Sequence, residues 1–222
     1  MKLTLFDLDG TLIERDSDHA FGEFMVRIGW ADGAAFARGN DAFYQAYLAG
    51  TLDIAAYVEF ATSPWRARPL AEQAEASARF MREVMQPMLK PAAFDLVRQH
   101  QAAGDRVAIV TATNDFVTRP VAQALGVDTL IATDLERSAQ GFVTGRIRGT
   151  PSFREGKIAR VAQWLAADGL TLDSFTSSTF YSDSTNDLPL LERVSHPVAT
   201  NPGPALEAIA LERGWRILKL FT

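Results

Sequence analysis

Leu3-Thr4-Leu5-Phe6-Asp7-Leu8-Asp9-Gly10-Thr11 opens the chain with an apolar run that ends in two aspartates and a glycine. A short apolar run broken in this way reads as a buried strand entering a loop. The texture then turns helical, with almost no strand signal from about residue 16 to residue 88. Asp16-Ser17-Asp18 offers N-cap candidates, and Phe21, Phe24, Met25 and Ile28 recur at helical spacing, continued by Phe36, Phe43, Tyr44 and Tyr47. From Pro91 the pattern alternates. Helices are predicted over 91–103, up to Leu125-Gly126, over 156–167 and over 205–213. Strands are predicted over 106–111, 129–132, 141–147 (hairpin-like), 178–181, 197–200 and 215–218. Such alternation implies an α/β fold, a Rossmann-like parallel sheet covered on both faces. The expected organisation is a core of residues 1–14 and 90–222, with a smaller helical unit, 15–89, inserted after the first strand.

Composition removes several function classes. The chain has 222 residues, 47% of them hydrophobic, enough for one core carrying one insertion. Its formal net charge of −5 gives no electrostatic footprint for nucleic acid or an anionic membrane surface. With no cysteine, disulfides, thiolate metal sites and cysteine nucleophiles are excluded. No apolar stretch reaches the length of a signal-peptide core or of the roughly 20 residues that span a bilayer, so a soluble cytoplasmic protein is expected.

In sheets of this kind ligands bind at the carboxyl ends of the strands. Asp7 and Asp9 follow the first strand, Thr111 the second, and Asp183 and Asp187 a later one, while Lys157 starts a helix after a glycine. Crowded carboxylates repel, and a hard divalent cation such as magnesium relieves the repulsion through oxygen ligands. Such a cation, Lys157 and the Thr111 hydroxyl together would neutralise a transferring phosphoryl group. Of the two aspartates at positions 7 and 9, one can attack phosphorus while the other handles protons. The chain holds neither G-x-x-x-x-G-K-[ST] nor G-x-G-x-x-G.

Phe6-Asp7-Leu8-Asp9-Gly10-Thr11 resembles the first signature of the haloacid dehalogenase (HAD) superfamily. Val110-Thr111 resembles its second, Gly156-Lys157 its third, and Ser182-Asp183-Ser184-Thr185-Asn186-Asp187 its fourth. The resemblance implies that Asp7 forms an aspartyl-phosphate and that Asp9 is the acid and then the base. It implies that Asp7, Asp183 and the Asp9 carbonyl hold Mg2+, with Asp187 in support. Thr111, Ala112, Lys157 and Asn186 would line the phosphate site, and the helical insertion would cap it. An acid at Asp9 marks the phosphatase form. The simpler reading of Asp183 and Asp187, a helix N-cap and a first-turn acid, stands beside this one.

Thr111-Ala112-Thr113-Asn114, with Phe116-Val117, Pro120 and Leu125-Gly126, resembles the phosphoserine-phosphatase-like branch, which includes histidinol-phosphatases. Phosphoserine phosphatases usually carry two glycines where Ala112 and Thr113 stand, which argues against phosphoserine. Asp16 falls where that branch places an acid for the substrate's amine, and it is equally a helix N-cap. Arg66 and Arg68 are candidates for a second anionic group or for solvated surface. His19, His100 and His196 carry no ligand spacing and receive no role. The expected partner is a small phosphorylated metabolite, with L-histidinol phosphate first and phosphoserine, or transfer to an alcohol acceptor, as alternatives. A non-enzymatic phospho-receiver or a silent binding protein fits less well, since neither needs the acid at Asp9.

Overall fold

The computed structural model describes residues 1–221. β1 (Lys2–Phe6) is followed by helices α1 (Ser17–Arg27), α2 (Gly33–Leu48), α3 (Ile54–Thr62), α4 (Leu70–Phe80) and α5 (Gln86–Met88), with a π-helical turn at Met81–Met85. Then come α6 (Pro91–Ala102), β2 (Arg106–Asn114), α7 (Asp115–Ala124), β3 (Leu130–Thr133), β4 (Leu135–Arg137), β5 (Val143–Ile147) and α8 (Glu155–Ala166). The chain continues through β6 (Ser177–Ser182), α9 (Leu188–Leu191), β7 (His196–Thr200), α10 (Pro204–Arg213) and β8 (Arg216–Leu218).

Six strands form one parallel sheet in the order β3-β2-β1-β6-β7-β8. The first strand of the sequence is therefore central, and the chain reverses direction across the sheet between β1 and β6. A crevice opens at such a switch point, at the carboxyl ends of the two strands. β4 and β5 form a separate antiparallel hairpin, which packs on α3.

β1 is central because its run is apolar on both faces. Leu3 and Leu5 pack with Val161 and Leu165 of α8, Leu190 and Leu191 of α9 and Leu206 of α10. Phe6 faces the other way, toward Val97 of α6 and Val117 and Val121 of α7. The inserted helices join this second cluster: Phe21, Phe24, Met25, Val58, Trp65, Phe80, Met85 and Met88 are all part of it. Trp65 stacks on Phe116 of α7 at 4.2 Å between ring centroids, and Phe21 meets Phe80 edge-on at 4.9 Å. Insertion and sheet share one apolar core. No helix is long and apolar enough to cross a membrane among the described residues.

Candidate active site

Asp7 stands one residue past β1, and its amide donates to the Tyr181 carbonyl of β6 at 2.9 Å. The chain then wraps back. The Leu8 carbonyl accepts from the amides of Thr11, Leu12 and Ile13 at 3.2, 2.8 and 3.1 Å. Gly10 permits the wrap with φ at +73°, and a Cβ there would lie 2.2 Å from Asp183 Oδ2. Only glycine fits both demands. Asn201 Nδ2 donates to the Gly10 and Thr11 carbonyls at 2.9 and 3.3 Å, while its Oδ1 accepts from the amides of Leu220 and Phe221 at 2.6 and 3.1 Å.

Behind this loop lies a charge cluster. Lys157 is 1% exposed, and its Nζ donates to Asp7 Oδ1 at 2.9 Å and to Asp187 at 2.7–2.8 Å. Gly156 lets the start of α8 approach, because a Cβ there would strike the Pro151 carbonyl at 2.1 Å. Ser182 Oγ fixes Asp187 Oδ2 at 2.7 Å. Burial works against the Lys157 ammonium, but Asp187 and Asp7 outweigh it and hold its pKa up. Burial raises Asp7, against Lys157, and raises Asp187 to about 6, also against Lys157. Asp183 is pushed well above the usual carboxylate range by burial and by Asp7 and Asp187.

Asp7 and Asp187 thus share one ammonium, with Asp183 a third buried acid near them. Thr11 Oγ1 lies 3.4 Å from Asp7 Oδ2 and 3.3 Å from Asp183 Oδ1, and accepts from the Asp183 amide at 3.1 Å, so one hydroxyl ties both acids together. Oxygen donors with unbalanced negative charge suit a hard dication. Among the described residues no group of three or more acid or histidine side chains is placed to hold a metal ion by itself.

Asp9 is clamped from two sides. Its Oδ1 accepts from the Ser17 amide at 2.6 Å, and its Oδ2 from Thr113 Oγ1 at 2.8 Å and Thr111 Oγ1 at 3.4 Å. Burial and the charge of Asp16 lift its pKa to about 6, near the range a general acid needs at neutral pH. Thr111 is inside β2 rather than beyond it, because the strand runs on to Asn114 through an irregularity after Val110. Asp16 is the N-cap of α1, accepting from the His19 amide at 2.7 Å, and burial raises its pKa to about 6. The N-cap at the fourth signature is Ser184, whose Oγ accepts from the Asn186 amide at 3.2 Å. Asp183 does not cap there, while Asp187 is the acid of that first turn and stands at the N-cap of α9 without a side-chain cap bond.

A cavity above Asp7 is lined by Asp7, Asp9, Asp16, Asp18, Thr111, Ala112 and Thr113, and by Phe43, Tyr44, Tyr47 and Tyr57 of the inserted helices. Arg66 and Arg68 are not at this cavity. Arg66 donates to the Glu59 carbonyl at 3.0 Å, and Arg68 pairs with Glu72 and lies over the Trp30 ring. Nor does Asn186 line it: its Nδ2 donates to the Tyr47 carbonyl at 2.9 Å and its Oδ1 accepts from Arg154 at 3.3 Å. Arg154 also donates to the Gly50 carbonyl, joining insertion to core. His19 does line the cavity, beside Tyr44.

Thr11, Thr113, Asp18 and Arg154 take part in this arrangement without having been singled out in the sequence. Thr11 closes the first signature, and Thr113 stands at the departure from the glycine pattern of the second, so both carried a local signal. Asp18 carried only an N-cap signal, and Arg154 none.

A family model described as haloacid dehalogenase-like hydrolase matches residues 4–192, through all four signatures. The chain belongs to this family. A histidinol-phosphatase from Neisseria meningitidis serogroup C is 45% identical over 216 residues, 97% of each chain. A crystal structure of a protein with unknown function from Bordetella pertussis Tohama I superimposes with a TM-score of 0.93 at 51% identity, covering 99% of both chains. A substrate-bound phosphoserine phosphatase shares the HAD fold at a TM-score of 0.69 and 17% identity, over 98% of this chain and 92% of that one. Family and relatives make the chain an enzyme, a HAD hydrolase of the phosphatase kind.

Proposed function

We propose that this HAD hydrolase is a magnesium-dependent phosphatase that hydrolyses L-histidinol phosphate through an aspartyl-phosphate on Asp7. One observation carries the substrate. The cavity over Asp7 is walled by aromatic side chains and by Asp16 and Asp18, and its lining includes no lysine or arginine. Such a chamber suits a leaving group with a ring and positive charge, and it repels the carboxylate of phosphoserine. The 45% identical histidinol-phosphatase supports the same reading.

Magnesium bound by Asp7, Asp183 and the Asp9 carbonyl would supply charge neutralisation at the phosphoryl oxygens. The chain's own groups do the rest. Lys157 holds Asp7 Oδ1, and Thr111 and Ala112 line the cavity on the side of the phosphoryl group. Asp7 Oδ2 attacks phosphorus and the ester P–O bond breaks. Asp9, protonated near its raised pKa, gives its proton to the departing alkoxide. It then takes a proton from the water that hydrolyses the acyl-phosphate, which frees Asp7 and releases phosphate. The Thr113, Thr111 and Ser17 donors keep the Asp9 carboxyl in place for both transfers.

The test is phosphate release measured side by side on L-histidinol phosphate and L-phosphoserine with Mg2+ present. Higher kcat/KM on histidinol phosphate is expected, and a preference for phosphoserine would overturn the assignment.

A further inference from the structure

Asp7, Asp9, Asp16 and Asp18 all line the cavity, and no lysine or arginine does. A phosphate ester entering it must bring positive charge of its own. Asp7 is answered by Lys157 and Asp9 by the Ser17 amide and the Thr113 hydroxyl, which leaves Asp16 and Asp18.

These two acids are held differently. Asp16 is spent in part on its helix, through the bond to the His19 amide. Asp18 is 6% exposed and is in ion-pair contact with no lysine, arginine or histidine among the described residues. Its Oδ1 accepts from Asn114 Nδ2 at 3.1 Å, and Tyr57 lines the same cavity. The orientation of Asn114 is fixed by its second task. Its Oδ1 accepts from the Phe116 and Val117 amides at 3.1 and 3.2 Å as the N-cap of α7, so its Nδ2 must turn toward Asp18. A neutral donor at the end of β2 thus aims a buried carboxylate without neutralising it. A carboxylate so held is costly unless something positive meets it. The wall beside it is Phe43, Tyr44, Tyr57, Leu52 and Ile54, flat and apolar, as a ring requires.

We propose that Asp18 is a specificity-determining residue that receives a ring N–H of the leaving group while Asp16 takes its ammonium, so that the site selects phosphate esters of amino alcohols bearing a second basic nitrogen. This rests on the reading above that the leaving group is cationic and carries a ring, and it assigns the ring to one side chain.

The test uses the free alcohols and needs no turnover. Calorimetry on the Mg2+-loaded enzyme compares L-histidinol with L-phenylalaninol, the same amino alcohol with a neutral ring. The wild type is expected to prefer histidinol by about tenfold or more, as for a charged hydrogen bond made to only one of two ligands. Asp18→Asn keeps the shape and the Asn114 contact while removing a buried charge, so folding is not at risk. It should erase the preference while the far-UV circular dichroism spectrum stays that of the wild type. Equal affinity for the two alcohols in the wild type overturns the inference, and so does a preference that survives in the variant. If histidinol phosphate is not hydrolysed but the binding preference stands and vanishes in Asp18→Asn, the substrate assignment fails and the role of Asp18 holds.

Discussion

Asp7 and Lys157 touch each other, yet their replacement should have opposite effects on the fold. Asp7→Asn removes one of the two carboxylates paired with the Lys157 ammonium. Phosphate release should fall to background while the thermal midpoint holds or rises, because Lys157 keeps Asp187 as its partner. Lys157→Met removes the only cation of the group and leaves Asp7 and Asp187 buried without a counter-charge. Losing one partner of a buried ion pair costs about 3–5 kcal/mol, so urea midpoints should drop clearly. A Lys157→Met variant as stable as wild type would contradict the charge balance described for this cluster. Asp18 makes a third case. Burial and the charge of Asp9 lift its pKa to about 7, from an ordinary 3.8. Between those values the folded protein binds more protons at this group than the unfolded chain does, so its contribution to stability declines as pH rises through that window. Asparagine never ionises and escapes the decline. Melts from pH 4 to 8 should therefore show Asp18→Asn gaining on wild type up to about pH 7 and running parallel above it, with a final gap on the order of 2–4 kcal/mol. A gap independent of pH would contradict this.

At the level of elements, the strongest strands and helices were legible because their signals are local. β1 is an unbroken apolar run, α6 begins on Pro91 and is followed by Gly104, and α8 carries Val161 and Leu165 on one face. β4 was not legible, since three residues, Leu-Glu-Arg, owe their strand to pairing with β5. The end of β2 was misjudged for a related reason: Thr113 and Asn114 are polar, and only the partner at β3 keeps them extended. In the site, the four signatures came together as read, because each sits at a strand end or helix start that the sequence marks. Arg66 and Arg68 could not be resolved by sequence, because their fate depends on which face α3 and α4 present to the core. The same holds for Arg154, whose backbone takes φ +52°, a conformation unfavourable for a residue with a side chain. Its bonds to Asn186 and to the Gly50 carbonyl fasten the α2–α3 connection to the start of α8. Arg154→Ala should release that fastening. Hydrogen exchange over residues 47–53 is expected to quicken by about tenfold or more, while β1 and β2 stay protected. Unchanged exchange in that segment would mean the clasp does not hold it.

For the whole molecule, the shared core governs how it comes apart. Trp65 lies between α3 and α4 yet stacks on Phe116 of α7, and Phe21 of α1 touches Phe80, Trp65 and Phe116. An insertion packed this way has no separate interior to melt. Wild-type unfolding should be one calorimetric transition, with tryptophan fluorescence and far-UV circular dichroism superimposed. Trp65→Ala should lower that single transition by about 3–5 kcal/mol rather than split it, and two resolved transitions would refute a shared core.

Asn201 gives this architecture an order in time. A ribosome delivers the strand that carries Asp7 well before Asn201, which ties the Gly10 and Thr11 carbonyls to the amides of Leu220 and Phe221 and stands 191 residues beyond Gly10. β1 also waits for both neighbours, pairing with β2 from residue 106 and β6 from residue 177. The growing chain therefore carries its nucleophile long before the residues that hold its loop have been made. Nascent chains arrested before residue 201 should release no phosphate.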